Sequence, residues 1–187
     1  MSVSTNELKR GMTLDLDGTL FQVIEFQHVK PGKGGAFVRT KLRNLKTGAL
    51  VERTFNAGVD VGLAIVERSE MQFVYRDGDD FVFMDTTSFD QHHVPAEVVG
   101  DAGSFLTEGA TAIVAMHQGV ALGAELSASV VLSVSHTDPG VRGDRVSGAL
   151  KPATLETGLV VQVPLFVEEG DRVKVDTRTG EYLTREK

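Results

Sequence analysis

The chain has 187 residues, of which 41% are hydrophobic, and it contains no cysteine, which excludes disulfides, a thiolate nucleophile and cysteine-based zinc sites. No apolar run approaches the ~18 residues that cross a bilayer, and the N-terminus lacks a secretory pattern, so we expect a cytoplasmic protein without membrane contact. The net charge of −7 disfavours nucleic acid as a partner of the whole surface.

The charge is unevenly distributed along the chain. Residues 1–60 carry nine Lys or Arg against six Asp or Glu, residues 61–140 carry two against twelve, and residues 141–187 carry eight of each. The two ends could therefore face phosphate while the middle repels it, as expected for an oriented partner. The alternative is that the acidic surface only keeps the protein soluble.

The N-terminal third has the alternation of β-strands. Asp17-Gly18 is a strong signal for a hairpin turn between two alternating segments. Residues 36–43 place Ala, Val, Thr and Leu on one face and Phe, Arg, Lys and Arg on the other, which predicts a half-buried strand with a basic outer face. With a further turn at Lys46–Gly48, the segment predicts a small antiparallel barrel.

The remaining two thirds also read as strands. We predict hairpins that turn at Asp77–Asp80, Gln118-Gly119 and Thr179-Gly180, and one helix from Pro95 to Leu106. Short strands, 20 glycines and a single helix favour all-β barrels over a parallel sheet with crossover helices. Three modules of about 60 residues each are the natural division.

Three segments resemble enzyme or metal-site motifs, but each lacks neighbouring elements that the motif requires. The segment LDLDGTLF matches the pattern of haloacid-dehalogenase-type phosphatases and nominates Asp15 and Asp17, but a strand follows it where that fold requires a helix. Asp17 is then a turn residue, and Asp15 lies on the solvent face. His92-His93 lack a third metal ligand and read as loop, and PGKGG lacks the elements of a phosphate-binding loop. We therefore expect no catalysis, no cofactor and no metal.

The segment from Phe26 to Arg43 carries five Lys or Arg and no acidic residue. Its centre is a lysine enclosed by proline and glycines, Pro31–Gly35, which predicts a thin hairpin tip with one long cationic arm. The basic residues on either side would form a shaft suited to a phosphate backbone. An ordinary mobile loop with a solvated lysine is the alternative.

Over essentially its whole length the chain resembles bacterial elongation factor P. The matching segments are FQHVKPGKGGAFVRTKLRN and TFNAG, then YRDGDDFVFMD, and finally GDRVSGALKPATLETGLVVQVPLFVEEGD with VDTRTGEYL. The run KPATLETGLVVQVPLFVEEG is long and unusual, which makes chance similarity an inadequate explanation. The eukaryotic and archaeal relatives that carry hypusine lack the third module, so the resemblance favours the bacterial factor.

The resemblance implies an SH3-like barrel at 1–64, followed by OB-folds at 65–127 and 128–187, arranged in an L like a tRNA. It implies a monomeric translation factor that binds the 70S ribosome between the P and E sites, in contact with rRNA and the P-site peptidyl-tRNA. There it would stimulate peptide-bond formation and relieve stalling at consecutive prolines. The ribosome does the chemistry, so the protein itself would not be an enzyme.

The resemblance also assigns residues. The tip loop toward the peptidyl-transferase centre comprises Pro31, Gly32, Lys33, Gly34 and Gly35. Contacts to tRNA and rRNA fall to His28, Lys30, Arg39, Lys41 and Arg43. Contacts on the side of the E-site codon and the small subunit fall to Gly143, Asp144, Arg145, Arg178, Tyr182 and Arg185.

Two questions stay open from the sequence. Some family members extend the tip lysine covalently and others leave it bare, so Lys33 either functions unmodified or has a lysine-modifying enzyme as a further partner. The rival function is a general OB-fold RNA-binding protein, which would need exposed aromatic side chains for base stacking. The chain has no Trp, two Tyr and ten Phe that mostly fall on predicted core faces.

Overall fold

A computed structural model describes residues 1–140 and 148–186. Within them the chain forms sixteen β-strands, one short α-helix and two 3-10 helices, so the prediction of an all-β protein is confirmed. These residues contain no helix with the length and apolar character to span a membrane. The chain divides into two compact units, one comprising Met1–Arg68 with Ala115–Leu122 and the other comprising the rest.

The first sheet is antiparallel, in the order β1-β6-β2-β3-β4-β5. Its strands are β1 Ser2–Ser4, β2 Thr13–Leu16, β3 Thr19–Val29, β4 Phe37–Asn44, β5 Leu50–Asn56 and β6 Asp60–Ala64. A 3-10 helix, Thr5–Glu7, follows β1. The inward faces of these strands form one core that includes Leu14, Phe21 and Leu42. As the alternation predicts, β4 buries Val38, Thr40 and Leu42 and exposes Arg39 and Arg43.

The second sheet has the order β11-β10-β7-β8-β9. Its strands are β7 Glu67–Asp77, β8 Asp80–Asp85, β9 Gln91–Pro95, β10 Thr111–His117 and β11 Val120–Glu125. Its core is aromatic, with Phe73 between Phe81 and Phe83 at ring-centroid distances of 5.5 and 5.7 Å. His92 and His93 lie in strand β9, so their assignment to a loop was wrong.

The predicted helix begins where expected but is mostly not α-helical. An α-helix, α1, spans Ala96–Val99, and a 3-10 helix continues from Gly100 to Phe105. Gly100 has a φ of 58°, which interrupts the α-helical conformation. Gly103 brings the backbone against the Phe81 ring, and a Cβ at this position would lie 2.6 Å from Phe81 Cζ. The close packing therefore requires glycine where helix propensity is poor.

The third sheet has the order β14-β13-β12-β15-β16. Its strands are β12 Ser129–Thr137, β13 Leu150–Leu155, β14 Val160–Pro164, β15 Arg172–Asp176 and β16 Tyr182–Glu186. Their core residues include Leu132, Leu155 and Val173, and Phe105 belongs to the same cluster although it comes from the 3-10 helix of the preceding segment. The sequence offered no sign of this shared core.

Left-handed residues make the tightest turns. Asp17 and Gly18 have φ values of 56° and 80°, and Gln118 and Gly119 have values of 49° and 79°, as two-residue hairpin turns require. Asp15 Oδ1 accepts a hydrogen bond of 2.8 Å from the Gly18 N–H. The carboxylate that the phosphatase interpretation nominated as a nucleophile thus stabilises this turn.

Three longer turns share one hydrogen-bonding pattern, and we name them by their first residues: the Asn44 turn (44–49), the Asp85 turn (85–90) and the Asp176 turn (176–181). In each, a side-chain oxygen of the first residue accepts two backbone N–H groups, from the third and fourth residues. The first carbonyl also accepts from the fifth residue, and the first N–H donates to the sixth carbonyl. The fifth residue is left-handed in all three.

The shared core generates a stability prediction. Phe105 is 6% exposed, so Phe105→Ala should lower the free energy of unfolding by about 3–5 kcal/mol, through lost burial and the cavity left behind. Leu150→Ala, at a side chain that is 55% exposed, should cost less than about 0.5 kcal/mol. Urea unfolding of both variants measures the difference, and equal costs would contradict the shared core.

Candidate functional site

The longest hairpin of the first sheet carries the tip that the sequence singled out. Strands β3 and β4 pair up to Val29 opposite Phe37, which leaves residues 30–36 as the connecting loop. Pro31 through Gly35 are all exposed, and Gly34 has a φ of 108°. Nothing lies within 4 Å of where a Cβ would stand on Gly32 or Gly35. The loop is therefore thin, and the Lys33 side chain extends from it into solvent.

A β-bulge separates this hairpin into a covered and an exposed part. Val23 pairs with Leu42 and Glu25 with Lys41, so that Ile24 is the additional residue on β3. Beyond the bulge, residues 25–28 of β3 are exposed on both faces. His28 lies here and makes an edge-to-face contact with Phe26, with the ring centroids 5.6 Å apart. The half of the hairpin nearest the tip is thus available to a partner.

The basic shaft is not electrostatically uniform. Arg39 lies in register between Gln27 and Thr54, which are both neutral. Lys41 lies in register between Glu25 and Glu52. Directly opposed cross-strand residues share a face, so Lys41 has a carboxylate on either side of it, which opposes its attraction for phosphate.

Arg43 resembles Arg39 in its surroundings. Its neighbours in register are Gln22 and Leu50, and it is exposed. Arg39 and Arg43 therefore have no carboxylate directly opposite them, in contrast to Lys41. Sequence reasoning missed the role of Glu25 and Glu52, because the bulge at Ile24 decides which residues of β3 oppose which residues of β4.

The predicted site residues of the third sheet differ in availability. Gly143, Asp144 and Arg145 lie outside the described residues. Arg178 sits in the Asp176 turn with a side chain that is 79% exposed, and its Nη2 lies 3.6 Å from Asp176 Oδ2. Tyr182 is partly buried against the core of the sheet.

Arg185 is engaged within the protein. Its Nη1 donates to Asp171 Oδ2 at 3.3 Å, and its guanidinium carbon lies 5.2 Å from the centroid of the Phe166 ring. The Glu168 N–H and the Arg185 guanidinium hold the pKa of Asp171 below its ordinary value, so this carboxylate stays ionised beside the arginine. Arg185 is therefore less free than Arg178 to bind an external phosphate.

The carboxylate beside Arg178 is also stabilised in its charged form. The N–H groups of Arg178 and Thr179 donate to Asp176 Oδ1 at 2.8 and 3.2 Å. These bonds are the main reason that the pKa of Asp176 is lowered. Within the described part of the chain, no group of three His, Asp or Glu side chains could hold a metal ion.

Three family models match successive segments of the chain. Residues 4–61 match the "Elongation factor P (EF-P) KOW-like domain", residues 66–124 match the "Elongation factor P (EF-P) OB domain", and residues 130–185 match "Elongation factor P, C-terminal". Curated proteins named elongation factor P are also similar to it. The protein of Acidothermus cellulolyticus is 62% identical and that of Mycobacteroides abscessus 57% identical, each over 97% of both chains.

Solved structures resemble part of the chain. A structure described as eukaryotic translation initiation factor 5A from Methanococcus jannaschii is 22% identical with a TM-score of 0.56, covering 65% of this chain and 90% of the other. A translation initiation factor 5A family protein from Naegleria fowleri is 18% identical with a TM-score of 0.55, covering 67% and 98%. At these identities the likeness concerns the fold.

The Asp176 turn generates a prediction about pH. Because the folded state lowers the pKa of Asp176, its contribution to stability is present above the ordinary value of 3.8 and is lost as the pH falls through the folded pKa. Asn44 makes the same bonds with an uncharged oxygen, so Asp176→Asn should keep the turn and reduce the acid-induced fall in melting temperature. Asp176→Ala should melt lower than the parent at neutral pH as well. An Asp176→Asn variant with undiminished acid sensitivity would contradict this assignment.

Proposed function

Because the chain belongs to the elongation factor P family and is thus a translation factor of the ribosome rather than an enzyme, we propose that it binds between the P and E sites and promotes peptide-bond formation at consecutive prolines. The observation that carries the proposal is the exposed, glycine-flanked Lys33 at the end of the projecting β3–β4 hairpin. The proposed modules are 1–64, 65–127 and 128–187, supported by one sheet and one family match within each.

Lys33 would act by position and charge. Residues 30–36 contain two lysines, one proline, three glycines and one alanine, so the loop holds no carboxylate or imidazole for proton transfer. Proline is a slow reactant because its ring restricts the chain, and a bound loop that orders the peptidyl-tRNA lowers the entropic part of the barrier. The thin tip lets an ammonium group enter a narrow RNA-lined space, where it would meet phosphate or carbonyl oxygens.

The shaft would hold the hairpin on RNA. Arg39 and Arg43 are exposed and have neutral cross-strand neighbours, so their charge is available to phosphates. Lys30 and His28 lie nearer the tip and are also exposed. Lys41 would contribute less to RNA affinity, because Glu25 and Glu52 lie beside it. On binding, these carboxylates would either have to move away from Lys41 or lose water together with it, and both cost free energy.

At the other end of the chain, Arg178 is the best-placed contact for the small-subunit side. We assign Gly143, Asp144 and Arg145 to the E-site codon on the resemblance alone. Arg185 and Tyr182 would support that surface from within, because both are held against the third sheet. Between these ends, the acidic residues of 61–140 would not face phosphate.

Lys33 is equally accessible to a lysine-modifying enzyme. An added group with a further amine would lengthen the arm and keep its charge. Comparison of the intact mass of protein from the native source with the mass of the encoded chain determines whether the arm carries an extension.

The first functional prediction concerns Lys33. In a reconstituted translation system, the protein should increase synthesis through a Pro-Pro-Pro reporter, and Lys33→Ala should lower that rate by about tenfold, equivalent to ~1.4 kcal/mol in the barrier. Lys46→Ala removes another exposed lysine of the first sheet and serves as the control. Equal synthesis with the parent, with Lys33→Ala and without protein would contradict the proposal.

The second concerns the shaft. Each phosphate contact contributes about 0.7–0.9 to the slope of log affinity against log salt concentration. We expect Arg39→Ala and Arg43→Ala each to reduce the slope for ribosome binding by about this amount, and Lys41→Ala to change it much less. Binding titrations over a range of salt concentrations measure the slopes, and three equal reductions would refute the role assigned to Glu25 and Glu52.

A further inference from the structure

Phe89 is a large apolar side chain in a conformation that suits glycine. It is the fifth residue of the Asp85 turn, its φ is 64°, and its side chain is 69% exposed. Left-handed backbone is uncommon outside glycine and is an outlier for a bulky residue. An exposed ring gains little from folding, so folding alone does not account for phenylalanine here.

The two sister turns provide an internal comparison. In the same hydrogen-bonding pattern, the fifth residue of the Asn44 turn is Gly48 with a φ of 72°, and that of the Asp176 turn is Gly180 with a φ of 73°. Two of the three turns therefore have glycine at this left-handed position. The Asp85 turn has phenylalanine there instead, and its backbone is strained. Strain that persists at an exposed position indicates a function other than stability.

The turn holds the Phe89 backbone in a fixed place. The Asp85 carboxylate accepts the N–H groups of Thr87 and Ser88 at 2.7 and 2.9 Å, and the Asp85 carbonyl accepts that of Phe89 at 3.0 Å. On the neighbouring strand, the Glu70 carbonyl accepts from both the N–H and the hydroxyl of Thr86, at 3.4 and 3.1 Å. A ring presented by an ordered turn loses little conformational entropy when it binds.

The charge of the chain segment that contains Phe89 indicates which kind of partner the ring would contact. Residues 77–141 contain ten Asp or Glu and no Lys or Arg, and two of these acids, Asp85 and Asp90, belong to the turn itself. The pKa of Asp85 is lowered mainly by the Ser88 and Thr87 N–H groups, which keeps this charge in place. A segment of this charge repels RNA phosphates and complements a surface rich in Lys and Arg. An aromatic anchor within a charged rim is the usual anatomy of a protein interface.

We propose that Phe89 is an anchor that inserts into an apolar pocket on a basic ribosomal protein, with Asp85 and Asp90 contacting the positively charged rim of that pocket. The inference rests on the proposed function in placing the partner on the ribosome. It adds a protein contact from the central segment to the RNA contacts of the two ends.

Phe89→Gly separates anchoring from folding, because it gives the Asp85 turn the residue of its sister turns. We expect this variant to melt at the same temperature as the parent or higher, and to bind 70S ribosomes about tenfold more weakly. Val120→Ala, at a side chain that is 63% exposed in the same segment, should leave the affinity unchanged. A Phe89→Gly variant of lower melting temperature and unchanged affinity would show that the ring is structural and would overturn the proposal.

Photo-crosslinking identifies the partner. A Phe89→p-benzoylphenylalanine variant, irradiated on purified 70S ribosomes, should attach to a ribosomal protein rich in Lys and Arg. Attachment to rRNA, or none from bound protein, overturns the anchor while leaving the proposed function intact if Pro-Pro-Pro synthesis is still stimulated. Failure of the parent protein to bind ribosomes overturns the proposed function and the anchor together.

Discussion

The structure depends on one constraint: in most of its hairpins the next strand begins within two to five residues, and left-handed backbone makes these turns. Asp17-Gly18 and Gln118-Gly119 meet it in two residues, and the Asn44, Asp85 and Asp176 turns meet it with five connecting residues. Turn geometry sets strand register, and register decides which side chains share a face. The placement of charge on the first sheet therefore follows from its turns and from the bulge at Ile24.

The tip of the β3–β4 hairpin departs from this pattern, and it is the loop to which we assign function. Seven residues, 30–36, connect β3 to β4, although a two-residue turn would be sufficient to join them. Pro31–Gly35 are all exposed to solvent. The exposed loop adds nothing to the stability of the fold. It would, however, allow Lys33 to reach a binding site at the end of a narrow opening. Phe89 is a second departure of the same kind, since it keeps a strained backbone where glycine would relieve it. Both departures from local preference lie at proposed contact sites, as expected when function competes with stability.

Local patterns predicted what local chemistry controls. The alternation of residues 36–43 identified the buried and basic faces of β4, and Asp-Gly and Gln-Gly located two turns. Features that depend on distant residues were missed. The helix after Pro95 changes to a 3-10 helix at Gly100, Gly103 packs on Phe81, and Phe105 enters the core of another sheet. The pairing of Lys41 with Glu25 and Glu52 required the register across a bulge. The assignment of Lys33 came from family resemblance, because an exposed lysine alone does not identify its partner.

The absence of basic residues from 77–141 has a practical consequence for protein chemistry. Trypsin cuts after Lys and Arg, so it finds no site between Arg76 and Arg142 and releases one long peptide that contains the whole Asp85 turn. Tryptic cleavage is thereby restricted to residues 1–76 and 142–187, which include the cations proposed to contact RNA. Bound RNA should protect those cleavage sites from trypsin. The acidic segment contains no such site, so a tryptic footprint reports nothing about its contacts. Mapping its contacts requires a protease that cuts after acidic or aromatic residues.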